Sequence, residues 1–439
     1  MSSTQPFETI VFVDIPDPDN ILMILHVLAV FKGRVAILLS PRIVDLSAVR
    51  YGSRFPEMIK KLGFATMATP ITPGKIPKVR KEWEKFFQPD ATLSDPKVME
   101  DTQLYVRVSK MRIEECIKKQ FPEREGYEIF WDPDSLSKIE EPDMRHAFHA
   151  ADYAFNFNED EWKKYCNITE KHADGRPGLR DALRAVIEDY ISRQTKEMAL
   201  ISFKPEPTDI SDLYEANRKA KDARLSIGGP LTEALQYIQE TPKPSKITAM
   251  CGTLTDDRSA FMGVQFNLKK DLESASIFFD RIVADKISLD AVPTECCKGK
   301  EKDPCPYVLQ FGTYKEIMGE NALTYQMIKR WGEQTSNKIQ LGAFDWITAI
   351  AAWKSDIFPW VPVVHEVCQE GSTITNIKFA ESKQSSLIRM AKADYEYMEK
   401  KRPMLLEEMK KAFPKERTGF RRTWAKMCDL FLSRTRYIR

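Results

Sequence analysis

Oxygen-bearing side chains that could bind a cation or a hydroxyl-rich ligand are concentrated in one turn near the start of the chain. This turn follows residues 9–13, a β-branched and aromatic run typical of a buried strand. From residue 21 the pattern is that of an almost wholly apolar helix, which Asp19 or Asn20 is suited to cap. The oxygen-bearing residues of the turn are Asp14, Asp17, Asp19 and Asn20.

The rest of the chain repeats this alternation of strand, turn and helix. A second strand is predicted at residues 34–40, and further strands at LSI, KITAM and ISLDAV, with helices after the first two. Helices are also predicted at residues 48–62 and 313–331, and in LGAFDWITAIAAWK. Two late strands flank Glu370-Gly371, a plausible hairpin turn. This order predicts an α/β fold with a mostly parallel central sheet and helices on both faces.

Two segments depart from the alternation. Residues 96–206 are charged, aromatic and helical in pattern, and we expect a helical insertion there rather than part of the sheet. From Lys400 onward, thirteen Lys and Arg residues stand against four Asp and Glu residues. We therefore expect one domain at 1–395, containing the insertion, and a basic helical extension at 396–439. That extension is expected to pack on the domain, with docking of an acidic partner as the alternative.

Five stretches carry a family resemblance: DIPDPDN (14–20), GPLTE (229–233), MCG (250–252), QFNLKKDLESA (265–275) and FDW (344–346). In this order they resemble the D-x-D-P-G-x-D-D, G-P-L-T-N, M-G-G, E-F-N-x-x-x-D-P-E-A-A and H-D-P segments of the inosine-uridine-preferring nucleoside hydrolase family. The resemblance extends from about residue 10 to residue 378, without the expected insertion.

The resemblance implies a calcium-dependent N-glycosidase that acts on a nucleoside or related N-riboside. The implied Ca2+ ligands are Asp14, Asn20, the carbonyl of Thr232 and Asp345, and oxygen ligands from separate turns suit this ion. The implied catalytic residues are Asp14, as the base for the attacking water, and Asp19, which would bind ribose hydroxyls. The implied substrate-binding residues are Asn267, Met250, Gln265 and Phe344. A homodimer or homotetramer is implied as well.

The chain also departs from the family pattern. The first motif is one residue shorter, and its last aspartate is Asn20, which removes one negative charge. Phe344 replaces a histidine and cannot donate a proton to a leaving base, although it could stack on one. Gln265 replaces a glutamate, and the asparagine that usually follows the second strand is missing. Two alternatives therefore stay open: a catalytically degenerate module that binds a ligand or a protein, and glycosyl transfer to an acceptor other than water.

Composition narrows the class of protein. The formal net charge of +2 gives no reason to expect a nucleic acid polymer as partner, and no apolar run is long enough for a membrane span. The N-terminal residues lack a secretory-signal pattern, and eight irregularly spaced cysteines suggest reduced thiols in a cytoplasmic protein. Zinc binding is the less favoured reading of two groups of residues: Cys296, Cys297 and Cys305, and the histidines of residues 143–149.

Overall fold

The computed structural model describes residues 5–14, 18–40, 96–132, 207–254, 265–300, 303–334, 340–384 and 386–414, together with residue 192. The predicted helix at 48–62 and the histidines of residues 143–149 lie outside these ranges. Among the helices described, none is both long enough and apolar enough to cross a membrane.

The strands follow the predicted order, with additional short pairs. Fourteen strands lie in the part of the chain that is described: β1 (Thr9–Asp14), β2 (Val35–Ser40), β3 (Tyr127–Trp131), β4 (Thr208–Asp209), β5 (Arg224–Ile227), β6 (Lys246–Met250), β7 (Leu289–Val292), β8 (Gly299–Lys300), β9 (Asp303–Pro304), β10 (Leu309–Gln310), β11 (Gln340–Leu341), β12 (Trp360–Glu370), β13 (Thr373–Glu381) and β14 (Ile388–Ala391).

Ten of these strands form one sheet in the order β13-β12-β14-β7-β6-β5-β1-β2-β3-β4. From β14 to β4 every neighbouring pair is parallel, whereas β12 runs antiparallel to both β14 and β13. The hairpin between β12 and β13 turns at Gly371, which has a φ of 64° that glycine adopts without strain. The predicted mostly parallel sheet and the late hairpin are confirmed.

Ten helices with both ends inside the described ranges accompany the sheet: α1 (Pro18–Val30), α2 (Pro96–Gln120), α3 (Ile210–Asn217), α4 (Thr232–Glu240), α5 (Phe266–Lys269), α6 (Leu272–Ala284), α7 (Phe311–Met318), α8 (Leu323–Gln334), α9 (Phe344–Trp353) and α10 (Tyr395–Lys411). Because side chains alternate along a strand, β1 directs Val11 and Val13 into one apolar core and Ile10 and Phe12 into another. Helices α1, α9 and α10 contribute to the first core, and α4 and α6 to the second. Helices therefore cover both faces, as predicted.

One strand contradicts the prediction that residues 96–206 form a helical insertion outside the sheet. Its first part is helical, as expected, but residues 127–131 form β3 and pair in parallel with β2 inside the sheet. The strand pattern is interrupted by Glu128, whose carboxylate accepts a 2.7 Å hydrogen bond from the hydroxyl of Thr208 on β4. A charged residue at this position is compatible with a sheet because it is paired, and the sequence pattern did not reveal its partner.

Helix α10 packs against the domain through its apolar residues. Met398, Leu405 and Met409 are buried in the same core as α1. His26 of α1 is also buried, and neither of its ring nitrogens has a hydrogen-bond partner among the described residues. Burial, together with the charge of Lys411, lowers the pKa of His26 to about 3, so that the imidazole is neutral in the folded protein.

Candidate functional site at the switch point of the sheet

The two halves of the parallel sheet diverge between β1 and β5. From β1 the chain adds β2, β3 and β4 on one side, and from β5 it adds β6, β7 and β14 on the other. Crevices for ligands in open α/β sheets lie beyond the carboxyl ends of the strands at such a point. Asp14 is the last residue of β1 and Gly228 directly follows β5, so both lie at this crevice.

Asp14 is held by a side chain of the next helix. Its Oδ1 accepts a 2.6 Å hydrogen bond from Nδ2 of Asn20, which lies in the first turn of α1. Both side chains are buried. Burial raises the pKa of Asp14 to about 6, and the bond from Asn20 and the charge of Lys270 oppose that rise. A carboxyl group with this pKa exchanges a proton near neutral pH.

Asp19 connects α1 to α9. The predicted capping of α1 by Asp19 or Asn20 is wrong, because α1 begins at Pro18 and both residues lie in its first turn. Asp19 Oδ2 instead accepts a 3.2 Å hydrogen bond from the backbone N–H of Asp345, at the start of α9. Burial raises the pKa of Asp19 to about 7, partly offset by that N–H, while the charge of Asp14 raises it further. Asp345 is buried beside them. We call Asp14, Asp19, Asn20 and Asp345 the switch-point cluster.

Two glycines allow this cluster to form. A Cβ added at Gly228 would lie 2.7 Å from Asn20 Oδ1 and 2.9 Å from Asp345 Cγ. A Cβ added at Gly229 would lie 2.8 Å from the backbone nitrogen of Asp14. These distances are shorter than van der Waals contact, so a side chain at either position would displace the cluster. The two glycines of the G-G-P sequence therefore have a packing role at the site.

The cluster contains two buried acceptor oxygens without a hydrogen-bond donor among the described residues. Asp19 Oδ1 and Asn20 Oδ1 are buried, and neither has a hydrogen-bond partner among the described residues. A buried oxygen of this kind costs free energy unless a ligand, a water or a cation satisfies it. Oxygens of Asp14, Asn20 and Asp345 make a donor set of the type that Ca2+ prefers, so the residues present fit this ion. Among the described residues, no three His, Cys, Asp or Glu side chains form a metal-binding group; the expected ligand set contains only two such side chains, Asp14 and Asp345.

The predicted substrate-binding residues at the end of β6 and after it lie in contact with one another. The side-chain amide of Asn267 donates to the carbonyls of Gly228 and Met250, at 3.1 and 2.9 Å, and so joins the ends of β5 and β6. Gln265 donates to the sulfur of Met250 at 3.2 Å and caps α5 by accepting from Leu268 N–H. These contacts give Asn267 and Gln265 a framework role at the crevice; their role toward a substrate stays a prediction.

The remaining predicted residues lie at the starts of two helices. Thr232 is the first residue of α4, and its hydroxyl donates to Asp271 at 2.7 Å. Phe344 is the first residue of α9, and its half-buried ring packs against the apolar core that contains α1. The carbonyl of Thr232 as a Ca2+ ligand and the ring of Phe344 as a stacking surface for a base stay predictions.

The structure adds residues that the sequence analysis did not select. Ser40 ends β2 directly beside Asp14, and its hydroxyl donates to Oε1 of Glu233 at 3.0 Å. Glu233 is buried in the first turn of α4, and its charge raises the pKa of Asp14. The position of Ser40 at a strand end next to β1 was a signal that could have identified it. Nothing local distinguished Glu233 from an ordinary acidic residue at a helix start.

The three clustered cysteines are buried free thiols. The thiol of Cys305 donates to the carbonyl of Cys296 at 2.9 Å, and that of Cys297 to the carbonyl of Phe344 at 4.0 Å. Burial raises the pKa of Cys296 and Cys297, which opposes formation of the thiolates that zinc requires. The three cysteines are part of the apolar core against which Phe344, the first residue of α9, packs.

No model of a known protein family matches the sequence, and no curated protein does. Three solved structures with a similar arrangement of elements each align with more than nine tenths of the chain. An inosine-uridine preferring nucleoside hydrolase from Bacillus anthracis is 11% identical and aligns over 92% of this chain and 100% of its own, with a TM-score of 0.44. The type III effector protein XopQ, complexed with adenosine diphosphate ribose, is 12% identical over 93% of each chain, with a TM-score of 0.44. An inosine-guanosine nucleoside hydrolase is 11% identical over 92% of this chain and 98% of its own, with a TM-score of 0.46.

Proposed function

We propose that this chain binds the ribosyl group of a nucleoside-like small molecule at the switch-point cluster and hydrolyses its N-glycosidic bond. The observation that carries the proposal is the pair of buried acceptor oxygens, Asp19 Oδ1 and Asn20 Oδ1, without partners among the described residues. A ribose hydroxyl is a donor of the kind that Asp19 Oδ1 lacks, and a bound cation would satisfy Asn20 Oδ1. Their position at the point where the sheet diverges is the expected place for a small ligand.

The roles of the residues follow from charge and proton affinity. Asp14 takes the proton from the attacking water, because burial raises its pKa and with it its affinity for a proton, which a Ca2+ ion bound beside it would in part offset. The water oxygen bonds to the anomeric carbon, and the C–N bond breaks with its electron pair leaving on nitrogen. The charges of Asp19 and Asp345 stabilise the positive sugar that develops. Phe344 has no proton to give, which favours a base that leaves without protonation, as a quaternary pyridinium does.

Calcium is part of the proposal. Asp14, Asn20, Asp345 and the carbonyl of Thr232 would hold the ion, and a bound Ca2+ lowers the pKa of a coordinated water. Assembly as a homodimer or homotetramer is proposed from the resemblance alone, and light scattering of the purified chain tests it. We propose a cytoplasmic location. We propose neither a nucleic acid polymer nor a membrane as a partner.

The test is ribose release from a panel of N-ribosides that includes a ribosylpyridinium, together with binding measured by calorimetry. Asp14→Asn should lower kcat by about 100-fold or more, because it removes the base. The matched control is Asp280→Asn, whose carboxylate is 71% exposed on α6 and should leave kcat unchanged. No ribose release from any substrate at high protein concentration would exclude hydrolysis.

A second function, ligand binding without turnover, is favoured by two observations. Asp14 is already hydrogen-bonded by Asn20, and Phe344 stands at the start of α9 where a proton donor would be needed. A ribosyl ligand would then raise the melting temperature of the protein and release no ribose. Saturable binding abolished by Asp14→Asn, without product, would support this function over hydrolysis.

A further inference from the structure

The side chain of Asn20 has one orientation that satisfies its neighbours. An ionised carboxylate can only accept hydrogen bonds, so the NH2 group of Asn20 must face Asp14 Oδ1, 2.6 Å away. The amide oxygen then points to the other side. There it lies 2.7 Å from the point where a Cβ of Gly228 would stand, and the carboxyl carbon of Asp345 lies 2.9 Å from the same point.

An aspartate at position 20 would not fit this arrangement by itself. Two carboxylate oxygens would face each other at the 2.6 Å now spanned by the amide and Asp14. Both would be buried, so their repulsion would be weakly screened by solvent. Only a proton or a cation between them would restore the attraction. The amide of Asn20 supplies that attraction from within the chain.

We propose that Asn20 is a positioning residue which makes the switch-point cluster stable without a divalent cation. With asparagine at position 20, Asp14 is fixed by a hydrogen bond, and a cation is an optional addition to the site. With aspartate at position 20, the same cluster depends on the cation for its stability. The inference concerns the site of the proposed function, but it makes no use of the reaction.

The test is thermal unfolding of the full chain at pH 8, in EDTA and in 1 mM CaCl2. The wild type should unfold cooperatively in EDTA, and any rise that CaCl2 gives its melting temperature should be smaller than the rise it gives Asn20→Asp. Asn20→Asp should melt about 5 °C or more below wild type in EDTA, because it introduces buried like charges, and Ca2+ should restore most of the loss. Magnesium at the same concentration should restore less, because its rigid octahedral preference suits this oxygen set poorly.

The exchanged double variant Asp14→Asn with Asn20→Asp is the matched control. It has the same composition as wild type and restores one amide facing one carboxylate. In EDTA it should therefore unfold near the wild-type temperature, and Ca2+ should raise that temperature no more than it raises the wild-type value. The inference is overturned if Ca2+ raises the melting temperature of the wild type as much as that of Asn20→Asp, or if Asn20→Asp loses stability that neither Ca2+ nor the exchange recovers. Because the readout is stability, failure to detect ribose release has no bearing on the result, and the two proposals fail separately.

Discussion

Gly228 is the position at which a single methyl group should disturb the switch-point cluster most. In Gly228→Ala the new Cβ would lie 2.7 Å from Asn20 Oδ1, 2.9 Å from Asp345 Cγ and 2.9 Å from Met23 Sδ. Ordinary contacts of a Cβ exceed about 3.4 Å, so these atoms must each move by roughly half an ångström or more. The displaced Asn20 must also stretch or lose its 2.6 Å bond to Asp14.

The expected cost combines two terms. Overpacking of a dense site costs about 1–3 kcal/mol, and loss of a hydrogen bond to a charged group costs about 1.5–3 kcal/mol. Because the two changes share the same movement of Asn20, they overlap, and we expect a total loss of about 2–4 kcal/mol. Urea unfolding followed by circular dichroism should show a lower midpoint with an unchanged slope. Affinity for a ribosyl ligand should fall by tenfold or more.

The control for this prediction is Gly312→Ala. Gly312 is exposed on α7, and nothing lies within 4 Å of its added Cβ. Alanine is the better helix former, so this change should be neutral or stabilising by up to about 1 kcal/mol. If Gly228→Ala unfolds at the same urea concentration as wild type and binds the ligand equally well, then close approach at the switch point is not required and the reasoning is wrong.

Three further predictions concern the framework around the site. His26 should make stability fall as the pH drops below about 6.5: the unfolded chain takes up a proton there and the folded chain, with a pKa of about 3, does not. At about 1.4 kcal/mol per pH unit, His26→Leu should gain roughly 2 kcal/mol over wild type between pH 7 and pH 5 in urea unfolding, and a constant difference would contradict this. Asp290→Ala should cost about 2–3 kcal/mol, because Lys246 and Arg389 lose their buried partner but remain 29% and 42% exposed to water; a loss as small as that of a surface pair would show that the network is dispensable. Asn217→Ala should cost about 2–4 kcal/mol, because three buried hydrogen bonds disappear, and a loss below about 1 kcal/mol would be unexpected.

The sequence predicts the elements of this fold better than the contacts between them. The apolar runs of β1, β2, β5, β6 and β7 were recognised because strands buried on both faces are almost continuously hydrophobic. β3 was missed because Glu128 breaks its run, and the hydroxyl that satisfies Glu128 comes from Thr208, 80 residues along the chain. Local pattern contains no information about a partner at that distance.

The same limit applies to the switch-point cluster. Asp14 and Asn20 could be selected because they lie in the turn between a buried strand and an apolar helix, and Asp345 was implied by the family resemblance. The hydrogen bond between Asp19 and α9 could not be predicted, since an acidic residue at the start of an apolar helix is ordinarily interpreted as a cap of that helix. Here the carboxylate accepts from the backbone N–H of Asp345, in the helix that begins at residue 344, and only the folded chain brings the two groups together. Glu233 was overlooked for the same reason, because its partner Ser40 lies on another strand.

The groups around the switch-point cluster explain how the fold can bury three carboxylates at one crevice. Two helices, α1 and α9, begin at the cluster, so the positive ends of both helix dipoles face Asp14, Asp19 and Asp345. Asn20 adds a neutral donor where a fourth carboxylate would have required a counter-ion. These contributions hold the carboxylates in place but leave Asp19 Oδ1 and Asn20 Oδ1 without partners among the described residues. The contacts within the chain therefore offset the cost of burial only in part, since the pKa values of Asp14 and Asp19 stay raised. The two acceptors that remain are those which the proposed ribosyl ligand and cation would satisfy.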